Sequence, residues 1–167
     1  TSASLASFFC RVPVYVHEAN SVPGTANKIN HMVSKKTFET FPGTFSKNNK
    51  IISSGNPIKS VFKDIEHPKY KYAHETKIHN ILIFGGSQGA KFFNENIPIS
   101  LTEFSTKLNV KHICGLNNKI SLQNTYKRLN IAHEVIEFSH EMNRLYDWAD
   151  IIISRAGSMT LSEISAS

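Results

Sequence analysis

The chain predicts an α/β fold of parallel sheets flanked by helices, in the Rossmann-like manner. Three observations carry this: short apolar runs alternate with helical patterns, the joins between them are short, and two of the runs end in glycine turns that open a helix at once. Apolar strands separated by helical stretches indicate a parallel sheet covered by helices. Ligands of such sheets sit at the carboxyl ends of the strands.

Taken in order, residues 12–16 read as a buried strand leading into His17-Glu18-Ala19-Asn20. Pro23-Gly24 is turn chemistry, and residues 25–36 then show helical spacing, with Ala26, Ile29, Met32 and Val33 on one side. Phe41-Pro42-Gly43 is a loop, and residues 50–54 form a short strand ended by Gly55-Asn56-Pro57. Residues 61–77 are Lys-rich and weakly periodic, with Pro68 in the middle, and read as a linker between a first domain (1–60) and a second (78–167). In the second domain, strands at 79–84, 110–114, 134–138 and 150–153 are followed by helices at 88–108, 118–129, 141–148 and from 158 onward. There is no initiator Met, and the last helical pattern carries no stop signal, so both ends read as cut and the chain as a fragment spanning parts of two domains.

The formal charge is +6, from 19 basic and 13 acidic residues, and it is concentrated between Lys28 and Lys77, where ten Lys face four acids. A cationic face suits a phosphorylated substrate, an anionic lipid surface or nucleic acid. The lysines are scattered and no arginine–aromatic pattern of an RNA-binding sheet appears, so nucleic acid is not expected as a partner. Cys10 and Cys114 are too far apart in sequence to suggest a disulfide framework, which suits a reducing compartment. No apolar run approaches the length of a membrane span, and the apolar-rich stretch at 5–16 lacks the basic start of a signal peptide.

The chemistry concentrates in two turns. Ile81-Leu82-Ile83-Phe84 runs into Gly85-Gly86-Ser87-Gln88-Gly89-Ala90, and Ile151-Ile152-Ile153 runs into Ser154-Arg155-Ala156-Gly157-Ser158. A glycine turn that opens a helix exposes backbone N–H groups at the positive end of the helix dipole, a ready site for phosphate. Ser87 offers a hydroxyl at the mouth of the first turn. Glu163, one turn into the last helix, can accept two hydrogen bonds from a ribose diol. Asn20 offers a donor and an acceptor to a sugar hydroxyl, and Lys59 offers a point charge to an anion.

Gly85-Gly86-Ser87-Gln88-Gly89 also fits the nucleophile turn of an α/β serine hydrolase with Ser87 as nucleophile. That reading needs an acid and then a His after Ser87. His112, His133 and His140 follow, but neither Glu103 nor Glu134 sits at a convincing strand end before a partner. A third reading is a non-catalytic module that binds a nucleotide sugar. Four His-Glu pairs occur, at 17, 74, 133 and 140, and none has metal-ligand spacing; no metal or cofactor is expected.

Taken together, four segments carry a resemblance. His17-Glu18-Ala19-Asn20-Ser21-Val22-Pro23-Gly24-Thr25-Ala26-Asn27-Lys28, Gly55-Asn56-Pro57-Ile58-Lys59, Gly85-Gly86-Ser87-Gln88-Gly89-Ala90 and Ser154-Arg155-Ala156-Gly157-Ser158-Met159-Thr160-Leu161-Ser162-Glu163 resemble, in the right order, four signatures of the MurG family of bacterial peptidoglycan synthesis. The resemblance implies a GT-B glycosyltransferase that moves N-acetylglucosamine from UDP-N-acetylglucosamine to lipid I, forming lipid II with inversion, at the cytoplasmic face of the inner membrane. It implies a peripheral association with that anionic surface. By the same resemblance, Asn20 is similar to a residue touching the donor sugar, Lys59 stands where an anion-binding Arg is usual, and Ser87 would meet a donor phosphate. Ser139 sits where a backbone contact reads uracil. Ser158, Met159 and Thr160, with Leu161 and Ser162 behind them, would line the diphosphate, and Glu163 would bind the ribose. Three positions depart from the family pattern: Ala19 replaces Gln, Lys59 replaces Arg and loses its two-pronged geometry, and Ser158 replaces Ala. The family's amino-terminal glycine-rich loop, with its candidate catalytic His, and its later sugar-sensing Gln residues would lie outside these residues. No catalytic base is assigned; His17 and Glu18 are the local candidates, and structural roles suit them better.

Overall fold

The computed structural model describes residues 2–65, 78–86 and 91–167. The chain divides into two compact units, Thr1–Ile58 and Lys59–Ser167.

The second unit is a four-stranded parallel sheet in the order β6-β5-β4-β7, built from β4 (His79–Phe84), β5 (Leu108–Ile113), β6 (Ala132–Ile136) and β7 (Ile151–Ser154). Between the strands run α3 (Lys91–Ser100), α4 (Lys119–Arg128) and α5 (Met142–Trp148), and α6 (Ser158–Ala166) follows β7. β4 is apolar almost throughout because both of its faces are covered. Ile81 and Ile83 pack with Leu108, Val110, Leu122, Tyr126 and Val135 on one face, while Leu82 and Phe84 pack with Leu145, Tyr146 and Ala149 on the other. This two-sided burial is the physical cause of the continuous apolar run in the sequence.

Several boundaries differ from the sequence reading, among them β6, which falls at Ala132–Ile136 rather than 134–138. The helix expected over 88–108 is shorter: α3 ends at Ser100, two residues after the buried Pro98, and a 3-10 turn, Thr102–Lys107, leads directly into β5 at Leu108. Proline removes a ladder hydrogen bond and crowds the preceding turn, which favours an early stop. The expected linker also begins later than residue 61. Ser60–Asp64 form a 3-10 helix whose Phe62 is buried in the second unit's core against Tyr146, with ring centroids 5.5 Å apart. An aromatic buried in this way gives those residues a fixed place on the unit. The remainder of the expected linker, residues 66–77, lies outside the described residues.

The first unit holds a three-stranded parallel sheet, β1-β2-β3, from β1 (Tyr15–Glu18), β2 (Lys36–Glu39) and β3 (Ile51–Ser53), with α1 (Ser2–Phe9) and α2 (Thr25–Val33). The first strand falls at 15–18 rather than 12–16: Pro13 has no N–H for a ladder, and Arg11 adopts a left-handed φ of 57°. β2 is an element the periodicity missed. Its inward residues are Thr37 and Glu39, both buried and both polar. Thr37 Oγ1 lies 2.8 Å from His31 Nδ1 and 2.9 Å from Ser34 Oγ. Glu39 accepts from Gly43 N at 3.2 Å, Phe45 N at 3.1 Å and Ser53 Oγ at 2.9 Å. Burial alone raises a carboxyl pKa, but these donors outweigh it and hold the Glu39 carboxyl below its ordinary range. We expect Glu39→Ala to cost about 2 kcal/mol, because it leaves buried donors without an acceptor; urea unfolding monitored in the first unit checks this, and an unchanged midpoint would show that the 41–45 turn is held by other contacts.

Candidate functional site

β4 is the point at which the strand order reverses: β5 and β6 lie on one side and β7 on the other. In open parallel sheets, the crevice at such a switch point is where ligands bind. Phe84 and Ser154 are paired in register, so the chain leaves β4 toward Gly85 and leaves β7 toward Arg155 side by side, at the same end of the sheet. The two glycine turns read from the sequence therefore share one rim. Gly86 has φ +80°, a conformation that side chains rarely adopt, so glycine there is required by the backbone. Gly157 differs. It is the N-cap of α6 with φ −68°, and an added Cβ would meet only the Thr160 side chain, Oγ1 at 3.6 Å and Cβ at 4.0 Å. Neither backbone nor crowding demands glycine at 157; its effect is that the N-cap residue itself supplies no capping side chain to the first turn of α6, the positive end of that helix.

A cleft of about 500 Å³ opens at these strand ends. Its floor and walls include Phe84, Gly86, Gly115, Phe138, Tyr146 and Glu163, together with Ser139 and Thr160. Such a volume suits a nucleotide-sized ligand. Of the residues singled out in the last motif, Thr160 and Glu163 line the cleft; one helical turn apart, they share a face of α6. Ser158 begins α6, and Met159, Leu161 and Ser162 do not line the cleft, Met159 and Leu161 being exposed. Ser139 lines it from the loop after β6, where its Oγ accepts the Glu141 N–H at 3.1 Å. Ser87 lies outside the described residues, as do residues 88–90.

The cleft also contains residues that the motifs did not flag. Phe138 is exposed and meets the His140 ring in a T-shaped contact, centroids 4.7 Å apart. Tyr146 is buried, and its hydroxyl donates to Glu163 Oε2 at 3.3 Å. In sequence Tyr146 is one more aromatic on the apolar side of a short helix, and no local signal separates it from core.

At the carboxyl end of β1 in the first unit, the spacing of the earliest motif is a hydrogen-bond pattern. Glu18 accepts from Asn20 N (3.0 Å), Asn20 Nδ2 (3.1 Å), Gly24 N (3.2 Å) and Asn27 Nδ2 (2.9 Å). Burial raises its pKa, but this set of donors more than offsets that and keeps Glu18 ionised below the usual carboxylate range. A carboxylate so fully engaged is a scaffold and a poor proton acceptor. The Asn20 amide nitrogen is committed to this network. The next motif docks on it: His17 Nε2 lies 3.2 Å from Gly55 O, and Thr40 Oγ1 donates to Asn56 Oδ1 at 2.7 Å. Lys59 is exposed at the start of the second unit, just before its 3-10 helix, and does not line the cleft.

The hydrolase reading lacks its relay among the described residues. His112 is fully buried against Tyr126, His133 stacks on the same tyrosine and bonds Ile131 O, and His140 meets Phe138; none pairs with a carboxylate.

Comparison with known proteins agrees with this geometry. Residues 80–167 match the glycosyltransferase family 28 C-terminal domain. The chain is 37% identical over 166 residues to the UDP-N-acetylglucosamine--N-acetylmuramyl-(pentapeptide) pyrophosphoryl-undecaprenol N-acetylglucosamine transferase of Acinetobacter baumannii, covering 96% of this chain and 46% of that protein. It is 36% identical over 163 residues to the same-named enzyme of Alcanivorax borkumensis, with 97% and 45% covered. The crystal structure of Acinetobacter baumannii MurG superposes with a TM-score of 0.79 at 33% identity, over 98% of this chain and 46% of that one. The chain spans about half the length of the curated relatives it matches. With its parallel sheets, its switch-point cleft and more than half its length matched, the chain belongs to glycosyltransferase family 28 and is a homologue of MurG.

Proposed function

We propose that this chain forms the donor-binding part, with an adjoining part of the acceptor domain, of an inverting glycosyltransferase that moves N-acetylglucosamine from UDP-N-acetylglucosamine to lipid I. The single observation that carries the reading is the in-register pairing of Phe84 with Ser154, which brings both glycine turns to one rim beside Glu163. The diphosphate lies against the amides at Gly86 and at the start of α6, near Ser158 and Thr160, and the family resemblance assigns Ser87 to a donor phosphate. The ribose hydroxyls meet Glu163. The base enters beside Phe138 and Ser139. The family resemblance makes Asn20 the candidate for the donor's sugar and Lys59 a candidate for its phosphate.

In the reaction an acceptor hydroxyl attacks the anomeric carbon. A new carbon–oxygen bond forms there as the bond to the diphosphate oxygen breaks, and uridine diphosphate leaves with the electron pair. The hydroxyl proton goes to a base that this chain does not identify. The contribution of these residues is electrostatic: fixed N–H donors and a helix dipole aimed at oxygens that gain charge in the transition state. Lipid I carries an undecaprenyl chain, so the enzyme works at the cytoplasmic face of the inner membrane. Exposed Phe8, Phe9 and Met32 beside Arg11, Lys35 and Lys50 in the first unit support peripheral contact with an anionic surface. Among the described residues no helix is long and apolar enough to cross a membrane.

The test is transfer of labelled N-acetylglucosamine from UDP-N-acetylglucosamine to lipid I by the full-length protein. Label appearing in the lipid fraction supports the reading. Binding of the nucleotide sugar with no transfer favours the non-catalytic module, and covalent capture of Ser87 by a fluorophosphonate favours the hydrolase.

A further inference from the structure

Glu163 stands on α6 at the wall of the cleft, and a glutamate side chain free to turn among its rotamers would lose that freedom on gripping a ligand. Its carboxylate has one hydrogen-bond partner among the described residues, the Tyr146 hydroxyl. Tyr146 is itself packed into the core of the second unit. It is 4% exposed, and its ring lies between Phe62 and Phe84, with centroids 5.5 and 6.0 Å away. The hydroxyl therefore projects from a fixed point on α5 toward α6.

We propose that Tyr146 is a positioning residue for the ribose: by donating to Glu163 Oε2 it holds the carboxylate in the rotamer that presents its remaining lone pairs to the 2′- and 3′-hydroxyls of a bound uridine diphosphate. The inference rests on the reading of Glu163 as the ribose acceptor. A carboxylate offers about four acceptor positions, so one bond to Tyr146 leaves enough for both hydroxyls. The direction of the bond is fixed by chemistry. Burial, with the neighbouring Glu163 charge, pushes the phenol well above its ordinary pKa, so it keeps its proton and donates. At 3.3 Å the bond is slack compared with a typical hydroxyl donor, and a ligand drawing on Glu163 has room to tighten it.

The test measures the affinities of UDP and 2′,3′-dideoxy-UDP for the full-length protein, for Tyr146→Phe, for Glu163→Gln and for the double variant. Tyr146→Phe keeps the ring that fills the core, and an unchanged melting temperature checks this. The expected result is a loss of about fivefold for UDP in Tyr146→Phe, the size of one ordinary hydrogen bond, no change for the dideoxy ligand, and no further loss when the change is added to Glu163→Gln. Equal losses for both ligands, or none for either, overturn the proposal, the first because Tyr146 would then act only by supporting the wall. If the unaltered protein binds UDP and dideoxy-UDP equally, the ribose reading of Glu163 fails first and takes this inference with it. A second measurement needs no variant: the Tyr146 ring-carbon resonance beside the hydroxyl should shift on adding UDP and stay in place with the dideoxy ligand, and a resonance unmoved by UDP counts against the proposal.

Discussion

If Glu163 receives the ribose as proposed, replacing it by alanine is expected to lower the affinity for uridine diphosphate about a hundredfold and to leave the protein folded. Two hydroxyl hydrogen bonds to a charged acceptor are lost together, each worth about 1.5 kcal/mol, and about 1.4 kcal/mol is a factor of ten. The fold tolerates the change because Glu163 is only partly buried on an open cleft, where water can take its place beside the Tyr146 hydroxyl. Calorimetric titration measures the effect, with 2′,3′-dideoxy-UDP as the control. The dideoxy ligand should bind the variant and the unaltered protein alike. A hundredfold loss for both ligands would move Glu163 from ribose recognition to support of the cleft wall.

Acidification destabilises the second unit through His112. This residue is fully buried in β5, its Nδ1 lies 2.8 Å from the Tyr126 hydroxyl, and its Nε2 has no partner among the described residues. Burial pulls its pKa from 6.5 down to about 4. Above pH 6.5 both folded and unfolded chains carry a neutral ring, and the full stability is present. As pH falls from 6.5 toward 4 the unfolded chain binds a proton that the folded one refuses, so stability declines, and below 4 this contribution is flat. At about 1.4 kcal/mol per pKa unit the loss is on the order of 3 kcal/mol. The chain's single tryptophan, Trp148, packs against the core of the second unit and reports its unfolding. Urea midpoints by Trp148 fluorescence should fall between pH 7 and pH 4.5 in the unaltered protein and fall much less in His112→Phe. Equal slopes would show that His112 is reached by water or by an acceptor when it charges. Glu18 and Glu39 act in the first unit and at lower pH, since their carboxyls are held below the ordinary 4.5 and lose their bonds only as they protonate.

How much could be read from the sequence depended on where polarity pointed. β4 and α6 were legible because the physics is local: an apolar run covered on both faces, then a glycine turn, then a helix. The switch-point rim followed from the same alternation, although only the strand order β6-β5-β4-β7 brings the two turns together. β2 was illegible because its inward residues, Thr37 and Glu39, are satisfied by a turn and by neighbouring side chains, and so look like surface in the sequence. The helix α1 was missed in a stretch read only as apolar-rich, and its Phe8 and Phe9 are exposed in the structure. Tyr146 was illegible for the opposite reason. Its ring is ordinary core, and only the tertiary meeting of α5 with α6 gives its hydroxyl a partner. The first motif carried its explanation in its spacing, because Glu18, Asn20, Gly24 and Asn27 close one hydrogen-bonded loop.

Titration of the isotope-labelled full-length protein with uridine diphosphate, followed through its backbone amide resonances, bears most directly on one anion being gripped by two helix openings. The account predicts that the amides of Gly86 and of Ser158, Met159 and Thr160 shift together along a single saturation curve. Shifts confined to one of the two turns, or two curves with different midpoints, would contradict it.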